Sequence, residues 1–160
     1  MKPSFSSMTI DSPIGKLTLL ANENALFEVW LPNSRGSEID HRRSRSAVLL
    51  STAAQLEEYF ARKRSEFRVP LVLRGTPFQR EVWNSLLQIP YGTTVSYGTI
   101  ASHIGRPKSS RAIGQANARN PIPIIVPCHR VVASNGLGGY AGGLSMKESL
   151  LELEGVTLPK

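Results

Sequence analysis

The sequence contains one cysteine, Cys128, among its 160 residues. A single cysteine excludes an intramolecular disulfide and a thiolate-rich zinc site. The three histidines, His41, His103 and His129, lie far apart in the sequence and show no metal-ligand spacing. We therefore expect neither a metal nor a cofactor.

Long apolar runs are also missing. No run approaches the roughly 20 residues that a membrane-spanning helix needs. Residues 1–15 lack the apolar core of a secretory signal. From these absences we expect a cytoplasmic location and no membrane partner that is engaged through a spanning helix.

Acidic residues are few relative to basic ones. The chain has 12 Asp and Glu against 19 Lys and Arg, which gives a net charge of +7. This imbalance favours an anionic partner, with nucleic acid first and an anionic membrane surface second. A solvated basic surface without a partner is the alternative unless a nucleic-acid-reading motif is present.

The first half of the chain predicts strands followed by a helix. β-rich stretches at 8–10, 16–21 and 25–31 are separated by turn residues and indicate an antiparallel meander. The polar segment 33–46 is predicted to be a mobile loop. Apolar residues at helical spacing predict a helix over 47–63, and 67–73 is a further candidate strand.

A boundary near Arg74-Gly75 divides the chain into two predicted domains, 1–74 and 75–160. Just after it, Thr76, Pro77 and Gln79 form the start of a helix, with a capping box and a proline at the first helical position. The combination of sheet and helices predicts an α+β fold.

Two short helices are predicted over 97–104 and 109–118. The tight glycine-containing turn between them indicates a helix-turn-helix. Basic residues without an acidic neighbour surround the second helix: Arg106, Lys108, Arg111 and Arg119. Its interior is small, which suits close approach to a nucleic acid groove and equally suits tight helix packing: Ala112, Gly114, Ala116 and Ala118.

The remainder of the second half is expected to contain one buried segment, one loop and one helix. Residues 121–132 combine three prolines with a β-branched run and predict a buried, mostly extended segment. The glycine-rich stretch 134–143 is a hairpin or loop. Ser145 and Glu148 predict a second capping box, at the start of a C-terminal helix.

Cys128 stands next to His129, and a thiol beside an imidazole is a candidate nucleophile. A free thiol has a pKa near ~8.5, so it needs a base to form a thiolate at neutral pH. In an extended strand the two side chains would point to opposite faces, although a bend at Pro127 or an intervening water could connect them. The alternative is that Cys128 is a small buried hydrophobic residue. Glu154 is a candidate to orient the imidazole.

A family resemblance is carried by "PFQREVWNSLLQIPYGTTVSYG", "RAIGQANARNPIPIIVPCHRVV", "GYAGGL" and "LLELEG". These motifs cover nearly all of 75–156 and resemble the O6-alkylguanine-DNA alkyltransferases. The N-terminal half is similar mainly through "TIDSPIGKLTL". The resemblance implies an RNase H-like N-terminal domain and a winged helix-turn-helix-like motif in the C-terminal one.

The activity that the resemblance implies is direct-reversal DNA repair. Cys128 would take the alkyl group from O6 of guanine, and from O4 of thymine, in a single irreversible turnover. His129 would act as base through a water, Glu154 would polarise the imidazole, and Asn120 would hold the turn that positions the cysteine.

The resemblance also implies how damaged DNA is held. The partner would be double-stranded DNA containing O6-alkylguanine, bound by a monomer through the minor groove, with cooperative binding left open. Arg111 would replace the flipped nucleotide in the base stack, and Tyr97 would assist the flip beside helix residues Ala112 and Gly114. The base pocket would be formed by Tyr140 and by backbone groups of Val131 and Ala141.

One departure and three competing readings limit what the resemblance implies. The loop 133–139 is one residue shorter than expected, which affects the rim of the pocket. Three readings compete with repair: a lesion-binding or DNA-binding helix-turn-helix protein without transfer activity, a sequence-specific regulator, and a cysteine hydrolase. A DNA-binding protein without transfer activity would not need Cys128. A regulator normally binds DNA as a dimer. A hydrolase would give the basic helix pair no function.

Overall fold

The computed structural model describes residues 4–158. The chain forms two compact units, one ending at Leu73 and the other beginning at Arg74. Within residues 4–158, no helix is long and apolar enough to cross a membrane.

A four-stranded sheet forms the first unit, with the order β3-β2-β1-β4. The strands are β1 (Phe5–Ile10), β2 (Leu17–Ala21), β3 (Leu26–Trp30) and β4 (His41–Arg43). The first three are antiparallel, as predicted. The prediction of a loop over 33–46 is wrong where β4 joins the open edge of β1 in parallel. Three residues are too few to show an alternating pattern in the sequence.

Helix α1 (Ala47–Phe60) contacts β1, β2 and β3. It begins after Ser46, whose side chain accepts a hydrogen bond from Leu49 N. The prediction of a strand over 67–73 is wrong, because only Leu71 pairs with Leu26, in an isolated bridge. Pro70 has no N–H to donate to a neighbouring strand, which limits the pairing of this segment.

The second unit is mainly helical. Its helices are α2 (Pro77–Leu86), α3 (Tyr97–His103), α4 (Ser110–Ala118) and α5 (Leu144–Leu153). Two short parallel strands, β5 (Val95–Ser96) and β6 (Val131–Val132), pair with each other. The α+β fold class is therefore confirmed.

The first residues of α2 and α5 can be compared with the two capping boxes predicted from the sequence. The capping box is present at α2, where Thr76 Oγ1 accepts from Gln79 N at 3.1 Å and Gln79 Oε1 accepts from Thr76 N at 3.0 Å. The predicted box of Ser145 with Glu148 is wrong. Helix α5 begins at Leu144 after Gly143, which has φ of 99°, so Ser145 already lies inside the helix. Glycine accepts this left-handed conformation readily, and it sets the helix start.

The segment 121–132 is buried but not extended, so that prediction is half wrong. Val126 N donates to the Ile122 carbonyl at 2.9 Å, which closes a turn, and a 3₁₀ turn follows at Cys128–Arg130. Ile124 inside this segment has φ of 76°. A β-branched residue rarely adopts that conformation, so the surrounding structure must impose it.

Candidate active site

Asn120 organises the turn that precedes Cys128. Its Nδ2 donates to the Val126 carbonyl at 2.8 Å, and its Oδ1 accepts from Ile122 N at 2.9 Å. One side chain thus bridges both ends of the turn around Ile124. The prolines remove backbone donors here, and the carboxamide supplies hydrogen bonds in their place.

Cys128 borders a cavity of about 310 Å³. The thiol is free and the residue is only 5% exposed. The cavity wall combines small residues with two tyrosines: Tyr97, Gly114, Asn117, Ala118, Cys128, Gly139, Tyr140 and Ala141. A planar group could lie against the aromatic rings with one edge near the thiol.

The surroundings of Cys128 favour the protonated thiol. Burial raises its pKa to about 11, although a hydrogen bond with Asn120 and the charge of Lys147 oppose the shift. Unless a base removes its proton, the Cys128 thiol is therefore almost entirely uncharged at neutral pH. A nucleophile at this position needs a base that removes the proton as the reaction proceeds.

His129 is fully buried and bonded to a carboxylate. Its Nε2 lies 2.6 Å from Glu154 Oε2, at the end of helix α5. Burial lowers the pKa of His129, and the hydrogen bond with Glu154 opposes that shift. The other ring nitrogen, Nδ1, has no hydrogen-bond partner among the described residues. A neutral imidazole whose Nε2–H is held by Glu154 has Nδ1 available as a proton acceptor.

Arg130 was not predicted from the sequence, yet it completes this buried network. Its Nε donates to Glu154 Oε1 at 2.8 Å, and its Nη2 donates to Glu154 Oε2 at 3.1 Å. Gly92 N also donates to Glu154 Oε1. Gly92 has φ of 77°, and a Cβ there would lie 3.1 Å from the Glu154 carbonyl oxygen, so the site requires glycine. The paired charges hold Glu154 in one orientation toward His129.

Lys147 is a second polar residue that sequence reasoning missed. It is fully buried on α5, and its Nζ donates to the carbonyls of Val131 at 2.6 Å and Gly139 at 3.0 Å. Burial lowers its pKa to about 8, although a charged Cys128 would raise it. Lys147 therefore holds the glycine-rich loop to β6 and places a positive charge near the thiol.

Helix α4 presents different residues to two regions. Gly114, Asn117 and Ala118 line the cavity of Cys128. Arg111 and Ala112 instead line an open depression together with Lys108, Ser109 and Gln115. The exposed, basic depression is suited to a polyanion, while the inner face is suited to a flat, uncharged group.

The remaining predicted pocket residues lie around the glycine-rich loop. Burial raises the pKa of Tyr97, which also has a hydrogen bond with the Gly139 backbone. Burial likewise raises the pKa of Tyr140 well above its ordinary value, and its hydroxyl has no hydrogen-bond partner among the described residues. Ala141 is exposed at the cavity, whereas Val131 is fully buried and its carbonyl accepts from Lys147.

The helical spacing of apolar residues could have identified the two polar residues that the sequence analysis did not name, Lys147 and Asn117. Lys147 shares the buried face of α5 with Leu150, Leu151 and Glu154, and Asn117 shares that of α4 with Ile113. A polar residue within an apolar stripe must find a partner or serve a site. Within residues 4–158, no three His, Cys, Asp or Glu side chains are grouped to hold a metal ion.

Family comparison covers both units of the chain. Residues 77–156 match the family described as 6-O-methylguanine DNA methyltransferase, DNA binding domain, and residues 7–73 match its ribonuclease-like domain.

Individual relatives extend over almost the whole chain. A Methanosarcina acetivorans protein named methylated-DNA–protein-cysteine methyltransferase is 49% identical over 148 residues, which cover 91% of this chain and 95% of that protein. A Mycobacterium bovis protein of the same name is also 49% identical over 148 residues, covering 91% and 90%. The crystal structure of Mycobacterium tuberculosis OGT in complex with DNA is similar with a TM-score of 0.86 and 48% identity, covering 94% of this chain and 91% of that one.

Proposed function

The chain belongs to the 6-O-methylguanine DNA methyltransferase family, and from this premise we propose how its residues perform the repair. The reaction is direct reversal: the alkyl group on a damaged base in DNA is transferred to a cysteine of the protein. Cys128 is the acceptor in this proposal. It is the only cysteine in the sequence.

The chemical step forms one bond and breaks another. The Cys128 thiolate attacks the alkyl carbon, and a carbon–sulfur bond replaces the carbon–oxygen bond at O6. The electron pair of the broken bond stays on the base, which takes up a proton and becomes guanine. The resulting thioether has no leaving group that water displaces readily, so each protein molecule reacts once.

His129 removes the thiol proton in this mechanism. No hydrogen bond joins Cys128 and His129 in the described part of the chain, so we propose a water between Sγ and Nδ1. Glu154 stabilises the imidazolium that forms, and Arg130 keeps Glu154 oriented. The reaction therefore begins from a neutral thiol and a neutral imidazole, which is the state that burial favours.

DNA is the partner, and α4 is the element proposed to contact it. Arg111, on the exposed basic face, would enter the base stack, while the damaged base turns out of the duplex into the cavity. Extruding a base costs a few kcal/mol. Tyr97 would assist at the cavity entrance, and Ala112 and Gly114 would allow the helix close to the minor groove.

Several further expectations remain predictions. They are activity on O4-alkylthymine, the monomeric state and the cytoplasmic location. The contacts from backbone groups of Val131 and Ala141 to the base are likewise proposals. The observation that carries the proposed mechanism is the buried pair of His129 Nε2 and Glu154 Oε2, which lie 2.6 Å apart, with His129 next to Cys128 in the chain.

Cys128→Ala separates transfer from binding. We expect this variant to lose all alkyl transfer and to bind an O6-methylguanine duplex within about threefold of the unsubstituted protein, because the thiol reacts but makes few contacts. Transfer is measured with a labelled methyl group and binding by fluorescence anisotropy. A parallel loss of binding would contradict this division of labour.

A further inference from the structure

The segment from Ile89 to Gly92 contacts one buried ion pair at three points, and the proposed mechanism gives no role to Tyr91 within it. The Ile89 carbonyl accepts from Arg130 Nη1 at 2.8 Å. The guanidinium carbon of Arg130 lies over the Tyr91 ring, 5.7 Å from its centroid. Gly92 N donates to Glu154 Oε1 at 3.1 Å. The segment therefore holds both members of the pair.

A tight turn fixes the position of Tyr91. The backbone N and the Oγ1 of Thr93 both donate to the Pro90 carbonyl, at 3.2 and 2.8 Å. Gly92 has φ of 77° at the third position of this turn, where a type II turn needs a positive φ. The Tyr91 hydroxyl donates to the carbonyl of Leu153, the last residue of α5, at 3.4 Å. The ring is thus held at both ends.

The contact between Tyr91 and Arg130 lies where such contacts are strongest. A guanidinium is attracted to the face of an aromatic ring, and more so when both are removed from water. Arg130 is only 6% exposed and Glu154 only 5%. The ring therefore favours the one orientation of the guanidinium in which Nε and Nη2 reach both carboxylate oxygens of Glu154. An aliphatic side chain offers no such attraction.

We infer that Tyr91 is a positioning residue for the repair reaction: its ring orients Arg130, which holds Glu154 toward the imidazolium that forms at His129. This inference rests on the proposed function, in which His129 removes the thiol proton. Tyr91 is not among the residues that line the cavity of Cys128. Loss of its ring therefore weakens the base and leaves the cavity intact.

The effect of such a positioning residue depends on pH, whereas a distorted site would react slowly at every pH. At neutral pH the Cys128 thiol is protonated and needs a base, because its pKa is about 11. As the pH rises toward that value, hydroxide removes the proton and the contribution of the base declines. The other titratable groups near the thiol are unchanged by a substitution at Tyr91: Tyr97, Tyr140 and Lys147. The loss should therefore be largest near neutral pH.

Alkylation of Cys128 by iodoacetamide tests the inference in the full chain without DNA. We expect Tyr91→Leu to slow alkylation about tenfold at pH 7 and less than about threefold at pH 10. Tyr91→Phe keeps the ring and should stay within about twofold of wild type at both pH values. Equal slowing of Tyr91→Leu at both pH values, or a Tyr91→Phe rate as low as that of Tyr91→Leu, would overturn the inference. Tyr91→Met replaces the Leu variant if circular dichroism shows that the latter is unfolded.

Phe78→Leu is the matched control. Phe78 lies on α2 and makes the same kind of contact with a different arginine, since the guanidinium carbon of Arg106 lies 5.5 Å from its ring centroid. That pair has no contact with Glu154 among the described residues. Phe78→Leu should leave the alkylation rate within about twofold of wild type at both pH values. A tenfold loss in this variant would show that the effect is not specific to Tyr91.

A double-substitution cycle tests whether Tyr91 acts through Arg130. In an Arg130→Met background the ring has no cation to orient, so Tyr91→Leu should slow alkylation less than about twofold further. A full tenfold loss in that background would overturn the inference. Methyl transfer from an O6-methylguanine duplex to wild type is measured separately. Its failure would count against the proposed function, whereas the alkylation rates decide the role of Tyr91.

Discussion

At the position of Cys128, burial and reactivity oppose each other. A pKa of about 11 keeps the thiol uncharged, while the reaction needs its anion. Three side chains reduce this conflict: Asn120 by a hydrogen bond, Lys147 by its charge, and His129 in the proposed role of base. Burial also lowers the effective dielectric constant around the thiol, which strengthens each of these interactions.

The sequence located some of these residues and missed others. Cys128 and His129 stand together in the chain, and Glu154 was a candidate because few acidic residues lie in the second half. The structure joins Glu154 to His129 across 25 positions. Arg130 and Lys147 were missed because their importance comes from carbonyl and carboxylate partners that only folding brings close.

Lys147 gives the protein a pH-dependent stability. Its pKa is about 8 in the folded protein, against an ordinary value of 10.5. Between these pH values the unfolded chain binds more protons than the folded one, so the free energy of unfolding rises with pH, by up to about 3 kcal/mol in all.

The measurement uses the Cys128→Ala background, because the thiol titrates in the same range. Denaturant unfolding at pH 7.5, 8.5 and 9.5 is compared with that of Cys128→Ala/Lys147→Met. We expect the stability of the Lys-containing protein to rise relative to that of the Met variant as pH increases. A constant difference across this range would show that Lys147 keeps an ordinary pKa.

At the scale of elements, one of the two predicted capping boxes is present and the other is not. The box at α2 follows from short-range chemistry that Thr76, Pro77 and Gln79 carry themselves. The start of α5 was missed because it depends on the left-handed φ of Gly143. The turn over 121–127 was missed for a related reason, since Asn120 and the positive φ of Ile124 bend a segment whose composition favours extension.

Thr76→Ala and Ser145→Ala test the two helix starts as a matched pair. We expect Thr76→Ala to lower the free energy of unfolding by about 1 kcal/mol, because the Gln79 N–H loses its acceptor. Ser145→Ala should change stability by less than about 0.5 kcal/mol, because Ser145 lies inside α5 at an exposed position. Urea unfolding measures both, and equal losses would restore Ser145 as a cap.

Helix α4 carries both the proposed DNA contact and part of the cavity wall. Arg111 faces the exposed depression and does not line the cavity of Cys128. Arg111→Ala should therefore slow repair of duplex DNA by about 10- to 100-fold, because the extruded base is no longer replaced in the stack. Reaction with free O6-benzylguanine should change less than about twofold. Equal slowing of both reactions in single-turnover assays would indicate a structural role for Arg111.

For the whole molecule, charge and chemistry are unevenly distributed along the sequence. The residues from Arg74 onward contain nine of the 19 Lys and Arg but only four of the 12 Asp and Glu. Every residue proposed to act on DNA or on the base also lies in this second unit. The first unit has its own sheet and its own buried core, and we assign it no part in the chemistry.

The fold class was predictable at this scale because turn residues and apolar spacing are local signals. The parallel edge strand β4 was not, since its pairing with β1 joins segments 36 residues apart, as Phe5 faces His41. Composition and spacing did not locate the cavity either, although the resemblance named Tyr140 and Ala141, which line it. It is formed by the start of α3, the inner face of α4, the 3₁₀ turn and the glycine-rich loop, which only tertiary packing brings together.

Intact-protein mass spectrometry tests the central claim most directly. The protein is incubated with an excess of duplex carrying one O6-methylguanine, and the product is digested and mapped. We expect a gain of one methyl group per protein molecule, located on Cys128, with no second turnover however long the incubation. An unchanged protein mass while the duplex remains bound, or repaired duplex in excess of protein, would contradict stoichiometric transfer to Cys128.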